Sequence, residues 1–280
     1  MEWQGNRESE NIEDRRGGGG RKFAIGGVGT IILAAVVFLM GGNPMEVLNL
    51  SSGQATSDYA AQPSEQSEIE KKFVSVALAS TEDVWTAEFQ KMGMNYEKPV
   101  MVLFSGQTSS ECGGASAATG PFYCPADKKV YLDYSFFDEL KNRFGVDGDF
   151  ASYYVIAHEV GHHVQDILGI TGKVQTMQRR TNEVEANKLS VRLELQADFL
   201  AGYWAKRSAQ QFNLTEQDIR SALTAANAIG DDKLQKQSQG YVVPDAFTHG
   251  TSEQRVEWFM RGFQAQSIDE GNTFEALGSR

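Results

Sequence analysis

The sequence predicts an α+β domain, mostly helical with a small sheet, preceded by one N-terminal transmembrane helix. The strand-like segments are few and lie early in the domain, and long helical patterns fill the remainder, as expected of an α+β fold. One uncharged apolar run, Phe23–Met40, precedes them. The overall composition, 41% hydrophobic and 22% charged, is ordinary for a soluble domain.

The run Phe23–Met40 approaches the roughly 17–25 apolar residues that a membrane helix needs. Arg15, Arg16, Arg21 and Lys22 closely precede it, so the positive-inside rule predicts a cytoplasmic N-terminus. A cleaved signal peptide is the alternative, but the run exceeds the roughly 7–15 residues usual there and no A-x-A site follows it. We therefore expect a single-pass inner-membrane protein with a periplasmic main domain.

These features divide the chain into a cytoplasmic segment at 1–22, an anchor at 23–41, a flexible linker at 42–67 and one domain at 68–280. The linker is rich in Ser, Gln, Gly, Ala and Asn without an apolar period. The formal net charge of −11 disfavours a nucleic-acid partner. An RNA-binding tract at 15–22 is the weaker reading, because membrane topology explains the same charges.

Local sequence features predict the helices and strands of the domain. Apolar spacing predicts a helix at 67–92, and short apolar runs predict strands at 99–104 and 129–133. Gly145 ends a short helix at 136–144, and Gly169 ends a helix at 150–168. A long helical pattern covers 175–211. Thr215 and Asp218 resemble a capping box for the next helix, which we expect to break or kink at 231–232, before a last helix at 252–264.

Cys112 and Cys124 are the only cysteines. In an oxidising compartment we expect them to form a disulfide that closes a short Gly/Ser/Ala-rich loop. The alternative, a pair of metal thiolates, lacks further Cys or His residues nearby.

Three of the four histidines lie in one segment, where His158, Glu159 and His162 form the pattern H-E-x-x-H. On a helix, histidines four residues apart share one face and can hold a single zinc ion. Glu159 is placed to act as a general base on a water of lowered pKa, so the pattern predicts a zinc-dependent hydrolase, most simply a peptidase. A glycine inside a helix costs roughly 1 kcal/mol relative to alanine. Gly161 therefore indicates that another group approaches the helix closely at this position, and we interpret that group as the substrate or the metal.

A catalytic zinc usually has three protein ligands, and the third is expected from a later carboxylate. Glu194 and Asp198 share one face of the long helix among apolar neighbours. Glu194 is the predicted ligand, and Asp198 the predicted hydrogen-bond partner of a ligand histidine. The rivals Glu183 and Glu185 lie in a more polar stretch. Asp166 is a weaker partner candidate, and His163 points away from His162, which favours a structural or surface role.

Several motifs resemble a known family. They are C-G at 112–113, G-P-F-Y-C-P-x-D at 120–127, V-Y-L-D at 130–133 and A-H-E-V-G-H-H-V-Q at 157–165. Together they are similar to the bacterial neutral zinc metallopeptidase family over essentially the whole chain. The two histidines followed by Glu194 and Asp198 also resemble the gluzincin arrangement. The resemblance implies a zincin-like fold and a membrane-anchored or secreted protein.

The segment Thr248–Arg255 resembles the T-H-P-x-x-x-x-R segment of membrane-associated gluzincins, with Gly250 where they carry proline. In those enzymes the segment lies near the active site, so the resemblance makes His249 and Arg255 candidates for stabilising the oxyanion. The alternative is a helix N-terminus capped by Thr251 or Ser252, with Arg255 in a structural ion pair.

We therefore expect a membrane-anchored zinc metalloendopeptidase that acts on peptide or protein substrates. The peptide is expected to lie extended along the strand at 130–134. Two alternatives remain: a zinc-stabilised binding or quality-control module with little turnover, and a zinc amidase that acts on cell-wall material.

Overall fold

The computed structural model describes residues 1–16 and 64–274. Their strands and helices, in chain order, are β1 (Ile12–Asp14), α1 (Glu65–Lys91), β2 (Val100–Phe104), β3 (Gln107–Ser110), β4 (Gly113–Ser116), β5 (Phe122–Cys124), β6 (Lys129–Asp133), α2 (Ser135–Phe144), α3 (Asp149–Ile167), α4 (Ile170–Gln178), α5 (Glu183–Ser208), α6 (Glu216–Ala228), α7 (Asp231–Gln239) and α8 (Ser252–Gln264). Helices dominate and the sheet is small, as the sequence predicts.

The main sheet has four strands in the order β1-β2-β6-β5. Strands β1, β2 and β6 run parallel, and β5 is antiparallel to β6, with Tyr123 opposite Val130. A peptide cannot pair along β6, because β2 and β5 already occupy both of its sides. The expectation that substrate lies along 130–134 is therefore wrong, since the edge strands of this sheet, among the described residues, are β1 and β5.

Helices α3 and α5 pack against each other at the centre of the core, and α8 packs against α5. Helix α3 is buried over most of its surface, which explains the continuous apolar flank before His158. The predicted buried positions Phe73, Trp85 and Phe89 of α1 belong to the same core. The side chains that can reach a metal therefore project from two helices that the core holds rigidly.

The long helical pattern at 175–211 is two helices. Helix α4 ends at Gln178, and α5 begins at Glu183. The side chain of Asn182 accepts a hydrogen bond from the backbone N–H of Glu185, which caps the N-terminus of α5. The apolar spacing continues across the four residues between α4 and α5, so it does not show that the helix ends there. The signal for the new helix start is Asn182, a residue type that is common at the N-cap.

The predicted membrane topology is wrong. Strand β1 pairs with β2, with Ile12 opposite Met101, so Met1–Asp14 belongs to the same compact unit as the chain from Glu65 onward. The N-terminus and the main domain therefore cannot lie on opposite sides of a membrane. The assignment of a cytoplasmic N-terminus and a periplasmic main domain is corrected accordingly.

The predicted transmembrane helix also lacks support. No helix within residues 1–16 and 64–274 combines the length and apolar character needed to cross a bilayer. The longest, α1, has 27 residues but carries charged residues along its length. The predicted anchor at 23–41 lies outside the described residues, as does most of the predicted linker.

Candidate metal centre

Three side chains from α3 and α5 converge to form a candidate metal centre. His158 Nε2 lies 3.1 Å from Glu194 Oε2, and His162 Nε2 lies 3.3 Å from Glu194 Oε1. Among the described residues, these three form the one cluster of His, Cys, Asp and Glu whose ligand atoms all lie within 4.8 Å of one another. Ligands bound at about 2.0–2.1 Å around a tetrahedral zinc lie about 3.3 Å apart, so the donor set fits zinc.

Gly161 allows the two helices to approach closely enough to build this centre. A Cβ added at Gly161 would lie 3.2 Å from the backbone oxygen and 3.3 Å from the Cα of Ala197 on α5. The glycine therefore accommodates the helix that carries Glu194 and Asp198. The interpretation that it accommodates substrate or metal is corrected.

Asp198 orients His158 from behind the centre. The Nδ1–H of His158 donates to Asp198 Oδ1 at 2.9 Å, which leaves Nε2 directed at Glu194. Arg255 donates to both oxygens of the same carboxylate, at 2.8 and 3.0 Å, and the Tyr154 hydroxyl donates to Oδ1 at 2.6 Å. Arg255 is only 2% exposed, so its bidentate ion pair with Asp198 fixes the predicted hydrogen-bond partner of the ligand.

Gln165 orients His162 in a similar way, although with an amide in place of a carboxylate. The Nδ1–H of His162 donates to Gln165 Oε1 at 2.9 Å. Gln165 in turn donates to the Leu193 carbonyl and to Gln196 Oε1, at 2.8 and 3.0 Å. Both histidines therefore present Nε2 to the same point. Sequence reasoning missed Gln165, Gln196 and Tyr154, although the spacing of three residues from His162 to Gln165 is a usable signal.

Opposite charges hold the buried centre together. Burial alone would lower the pKa of His158, but Asp198 and Glu194 raise it to about 10. Burial would raise the pKa of Glu194, but His162 and His158 hold it well below its usual range. The pKa of Asp198 would likewise rise through burial, but Arg255 and His158 lower it to about 2. Two carboxylates therefore stay ionised in a buried site, which is the charge that a divalent cation requires.

Glu159 lies beside the three metal-binding side chains without belonging to them. It is 8% exposed, and it lies on α3 in the turn between His158 and His162. Burial is the largest influence on its pKa, which is raised above the usual range despite the opposing charges of His158 and His162. A carboxylate with a raised pKa next to a metal site is suited to accept and release a proton.

His249 enters the same site on the loop before α8. Its Nδ1 lies 3.1 Å from Asp231 Oδ1, and Asp231 Oδ2 accepts the backbone N–H groups of Thr248, His249 and Gly250 at 2.7, 2.6 and 3.1 Å. Gly250 has φ of 90°, which proline cannot adopt, so the departure from the T-H-P pattern has a conformational cause. Thr251 caps α8. His249 and Arg255 both line the cleft, but the guanidinium of Arg255 is buried and paired with Asp198.

The remaining candidates lie outside the centre. His163 and Asp166 contact the hydroxyl of Tyr123 rather than the metal-binding side chains. Glu183 and Glu185 lie in the first turn of α5, where Glu185 pairs with Lys188. The predicted disulfide between Cys112 and Cys124 is confirmed, and it links the β3–β4 loop to the end of β5.

An open cleft of about 590 Å³ gives access to the centre. His158, Glu159, His162, Glu194 and His249 all line it. Its walls also include apolar side chains, among them Phe122, Phe136, Phe144, Val155, Ile229 and Leu234. The cleft therefore combines polar groups that can do chemistry with apolar surface that can bind side chains.

Comparisons with known proteins agree with this geometry. The model of the family described as "Putative neutral zinc metallopeptidase" matches residues 1–274. "Uncharacterized protein YpfJ" of Escherichia coli (strain K12) is 50% identical over 285 residues, which covers 98% of this chain and 99% of that protein. "Uncharacterized protein Rv2575" of Mycobacterium tuberculosis is 41% identical over 216 residues, 73% of this chain and 72% of that protein. No solved structure matches.

The assignment of zinc follows from the family match and from the three donor side chains. The family is one of zinc metallopeptidases, and His158, His162 and Glu194 offer two imidazoles and one carboxylate within reach of a single ion. These are the ligand types that zinc takes in catalytic sites. The chain belongs to the neutral zinc metallopeptidase family, and its cofactor is zinc.

Proposed function

We propose that this protein is a zinc endopeptidase in which Glu159 is the general base. The observation that carries the proposal is the convergence of His158, His162 and Glu194, at distances that fit zinc, with Glu159 beside them in an open cleft. When bound, zinc supplies a Lewis acid that polarises a carbonyl and acidifies water. The cleft combines these polar groups with apolar walls, which suits the side chains of a polypeptide.

The residues of the chain divide the reaction between them. Glu159 accepts a proton from the attacking water and delivers it to the leaving amine nitrogen. Its burial and raised pKa favour both halves of that transfer. Asp198 and Gln165 hold the two histidines so that each presents Nε2.

His249 is the group we assign to the oxyanion that develops on the scissile carbonyl. Its Nδ1 is engaged by Asp231, so Nε2 is the ring nitrogen available to a substrate oxygen in the cleft. The largest influence on its pKa is the hydrogen bond to Asp231, which raises it and favours a cationic donor. Arg255 contributes through Asp198, since its guanidinium is already paired with that carboxylate.

The test of the proposal replaces Glu159 with Gln, which preserves size and removes the base. We expect zinc content to stay unchanged by elemental analysis, while cleavage of a dye-quenched unfolded casein falls by about 10²–10⁴-fold. Glu185→Gln is the matched control, because Glu185 lies at the exposed start of α5 and should keep full activity. A Glu159→Gln protein that retains zinc and cleaves as fast as wild type would contradict the assignment.

A further inference from the structure

Three consecutive apolar side chains are exposed on the loop that follows α7. Tyr241, Val242 and Val243 are 62%, 39% and 38% exposed, and we call these three residues the apolar tip. Among the residues that the structure describes, seven large apolar side chains are exposed, and three of the seven lie together here. Adjacent exposed apolar residues mark a surface that another molecule covers. None of the three takes part in the proposed reaction.

Polar contacts hold the backbone of this loop in place. The side-chain oxygen of Gln235 on α7 accepts the backbone N–H of Val243 at 2.7 Å. Two residues after the tip, the carbonyl of Asp245 accepts a hydrogen bond from the Asn187 amide of α5 at 2.9 Å. The loop therefore follows a defined path, in which backbone groups bond to the protein while the apolar side chains face solvent. A surface held in this way needs little further ordering when a partner binds.

The apolar tip lies close to the catalytic cleft. Leu234 on α7 is part of the cleft wall, and Gln235, which holds the tip, is the next residue in the chain. The reach of one glutamine side chain and its hydrogen bond places Val243 within roughly 10 Å of the backbone of Leu234. An extended polypeptide spans that distance with about three residues. A chain that leaves the cleft past Leu234 can therefore reach the tip.

The residues that follow the tip line a second cavity, of about 410 Å³. Pro244, Asp245 and Phe247 form one of its walls. Helices α5 and α8 form the others, to which Leu195 and Trp258 contribute apolar surface. In the chain, the tip lies between a residue of the catalytic cleft and three residues of the second cavity. Apolar surface therefore follows this segment of the chain from the cleft to the second cavity.

We propose that the apolar tip is a docking surface for an apolar segment of the polypeptide substrate, a few residues away from the bond held in the cleft. The inference rests on the proposed function, because the occupant of the tip is the same chain that enters the cleft. Such a substrate must expose apolar side chains close to the cleaved bond. Unfolded and partly folded proteins do so, whereas a folded protein buries most of them. The tip therefore selects substrates by their conformational state.

The test compares a long and a short substrate on the zinc-loaded full chain. A triple-serine variant, which combines Tyr241→Ser, Val242→Ser and Val243→Ser, should raise KM for unfolded casein by about fivefold to tenfold, because apolar contact is lost. Its KM for a blocked tetrapeptide, too short to reach the tip, should stay within about twofold of wild type. Ile69→Ser combined with Met92→Ser is the matched control, since those side chains are 45% and 39% exposed and do not line the cleft.

Longer peptides locate the contact along the substrate. The tetrapeptide is extended at either end by four residues, which contain either two leucines or only Ser and Gly. Wild type should bind the leucine-containing extension at one end about fivefold more tightly than the Ser/Gly extension, and the triple-serine variant should not distinguish them. Should the triple-serine variant fail to fold, Tyr241→Ser alone replaces it, with an expected rise of about twofold to threefold in KM for casein.

The outcomes separate the two proposals. An unchanged KM for casein, or an equal rise in KM for casein and the tetrapeptide, overturns the docking role. Loss of self-association or of binding to phosphatidylcholine vesicles, with an unchanged KM for casein, assigns the tip to a second copy or a lipid surface and also overturns it. A wild-type protein that holds zinc and cleaves neither substrate overturns the proposed function. Binding of casein to wild type and to the triple-serine variant then still decides whether the tip docks a polypeptide.

Discussion

His249 reaches the cleft on a loop whose position depends on one carboxylate. Asp231 Oδ2 accepts three consecutive backbone N–H groups, and Oδ1 meets the imidazole of His249. The backbone N–H of Asp231 donates in return to the Gly250 carbonyl at 2.9 Å. One residue therefore sets both the path of the loop and the orientation of the ring, so His249 and Asp231 should act as a unit.

His249→Ala is expected to lower kcat by about 10²-fold with little change in KM, because a donor to the developing oxyanion acts in the transition state. Steady-state kinetics on a quenched peptide, with zinc content measured in parallel, checks this. Ser238→Ala, a change in an exposed hydroxyl on α7, is the control and should be neutral. A purely structural histidine would lower stability and leave the ratio of kcat to KM near wild type in the folded fraction.

The pH profile tests the same pair. The hydrogen bond to Asp231 raises the pKa of His249, so the cationic ring persists to higher pH than a free histidine, and activity that needs it falls as pH rises through that pKa. Asp231→Asn removes the charge, so we expect the alkaline limb of kcat to move to lower pH. An alkaline limb that stays in place in this variant contradicts the assignment.

At this scale the sequence predicted the residues that carry a strong pattern and missed those without one. H-E-x-x-H and the later Glu194 and Asp198 follow from helical spacing. Tyr154 holds its role through contacts with Asp198 and Arg255 on other helices, which no local spacing encodes, whereas Gln165 lies three residues after His162 and carries a local signal. The two readings of Thr248–Arg255 each describe part of the segment, since Thr251 caps α8, Arg255 pairs with Asp198, and His249 lines the cleft.

Among the elements, β1 depends on a buried carboxylate of α1. Glu82 is fully buried, and it accepts hydrogen bonds from Asn11 Nδ2 at 2.7 Å, from Arg7 at 3.0 Å and from the Ser9 hydroxyl. These three residues lead directly into β1. Glu82 therefore attaches the N-terminal segment to the domain.

Glu82→Gln should lower the free energy of unfolding by about 2 kcal/mol, because charge-assisted hydrogen bonds are lost and partners are left poorly satisfied. Chemical denaturation measures the change, and hydrogen exchange should show residues 9–14 loosened first. Asp83→Asn is the matched control. Asp83 also pairs with Arg7, at 2.7 Å, but its side chain is 56% exposed, so we expect about 0.5 kcal/mol or less.

Acid should have the same effect as the substitution. Burial would raise the pKa of Glu82, but the hydrogen bonds from Ser9, Asn11 and Arg7 lower it below 4.5. A carboxylate with a lowered folded-state pKa stabilises the protein above its ordinary pKa, and that contribution is lost as pH falls through the lower value. The stability difference between wild type and Glu82→Gln should therefore shrink below pH 4.5.

The elements that the sequence predicted are those with a clear apolar period. Helices α1, α3 and α8 and strands β2 and β6 lie close to their expected positions. Strand β1 was missed because Ile12–Asp14 has one apolar residue and depends on pairing with β2, far along the chain. The same pairing overturned the predicted topology, since a charge rule applied to 15–22 carries no information about long-range strand contacts.

At the scale of the whole molecule, the predicted metal-binding side chains come from the two helices on which the core is built. Helix α3 packs more extensively against α5 than against any other helix or strand. Helices α6 and α8 pack around this pair. The predicted ligands His158 and His162 come from α3, and the predicted ligand Glu194 comes from α5. Zinc bound there cross-links the centre of the domain, so its binding free energy should appear as stability.

We expect zinc to raise the free energy of unfolding by about 2.7 kcal/mol when free zinc is one hundred times its dissociation constant. In a protein of this size the midpoint of thermal unfolding should then rise by about 5–10 °C over the chelated form. Glu194→Gln should lose most of this increment, whereas Glu185→Gln should keep it, because Glu185 is exposed in the first turn of α5. Glu159→Gln should also keep the increment while losing activity, since Glu159 is not among the predicted ligands. Equal zinc stabilisation of Glu194→Gln and wild type would exclude Glu194 from the coordination and return the choice of the third ligand to the other carboxylates.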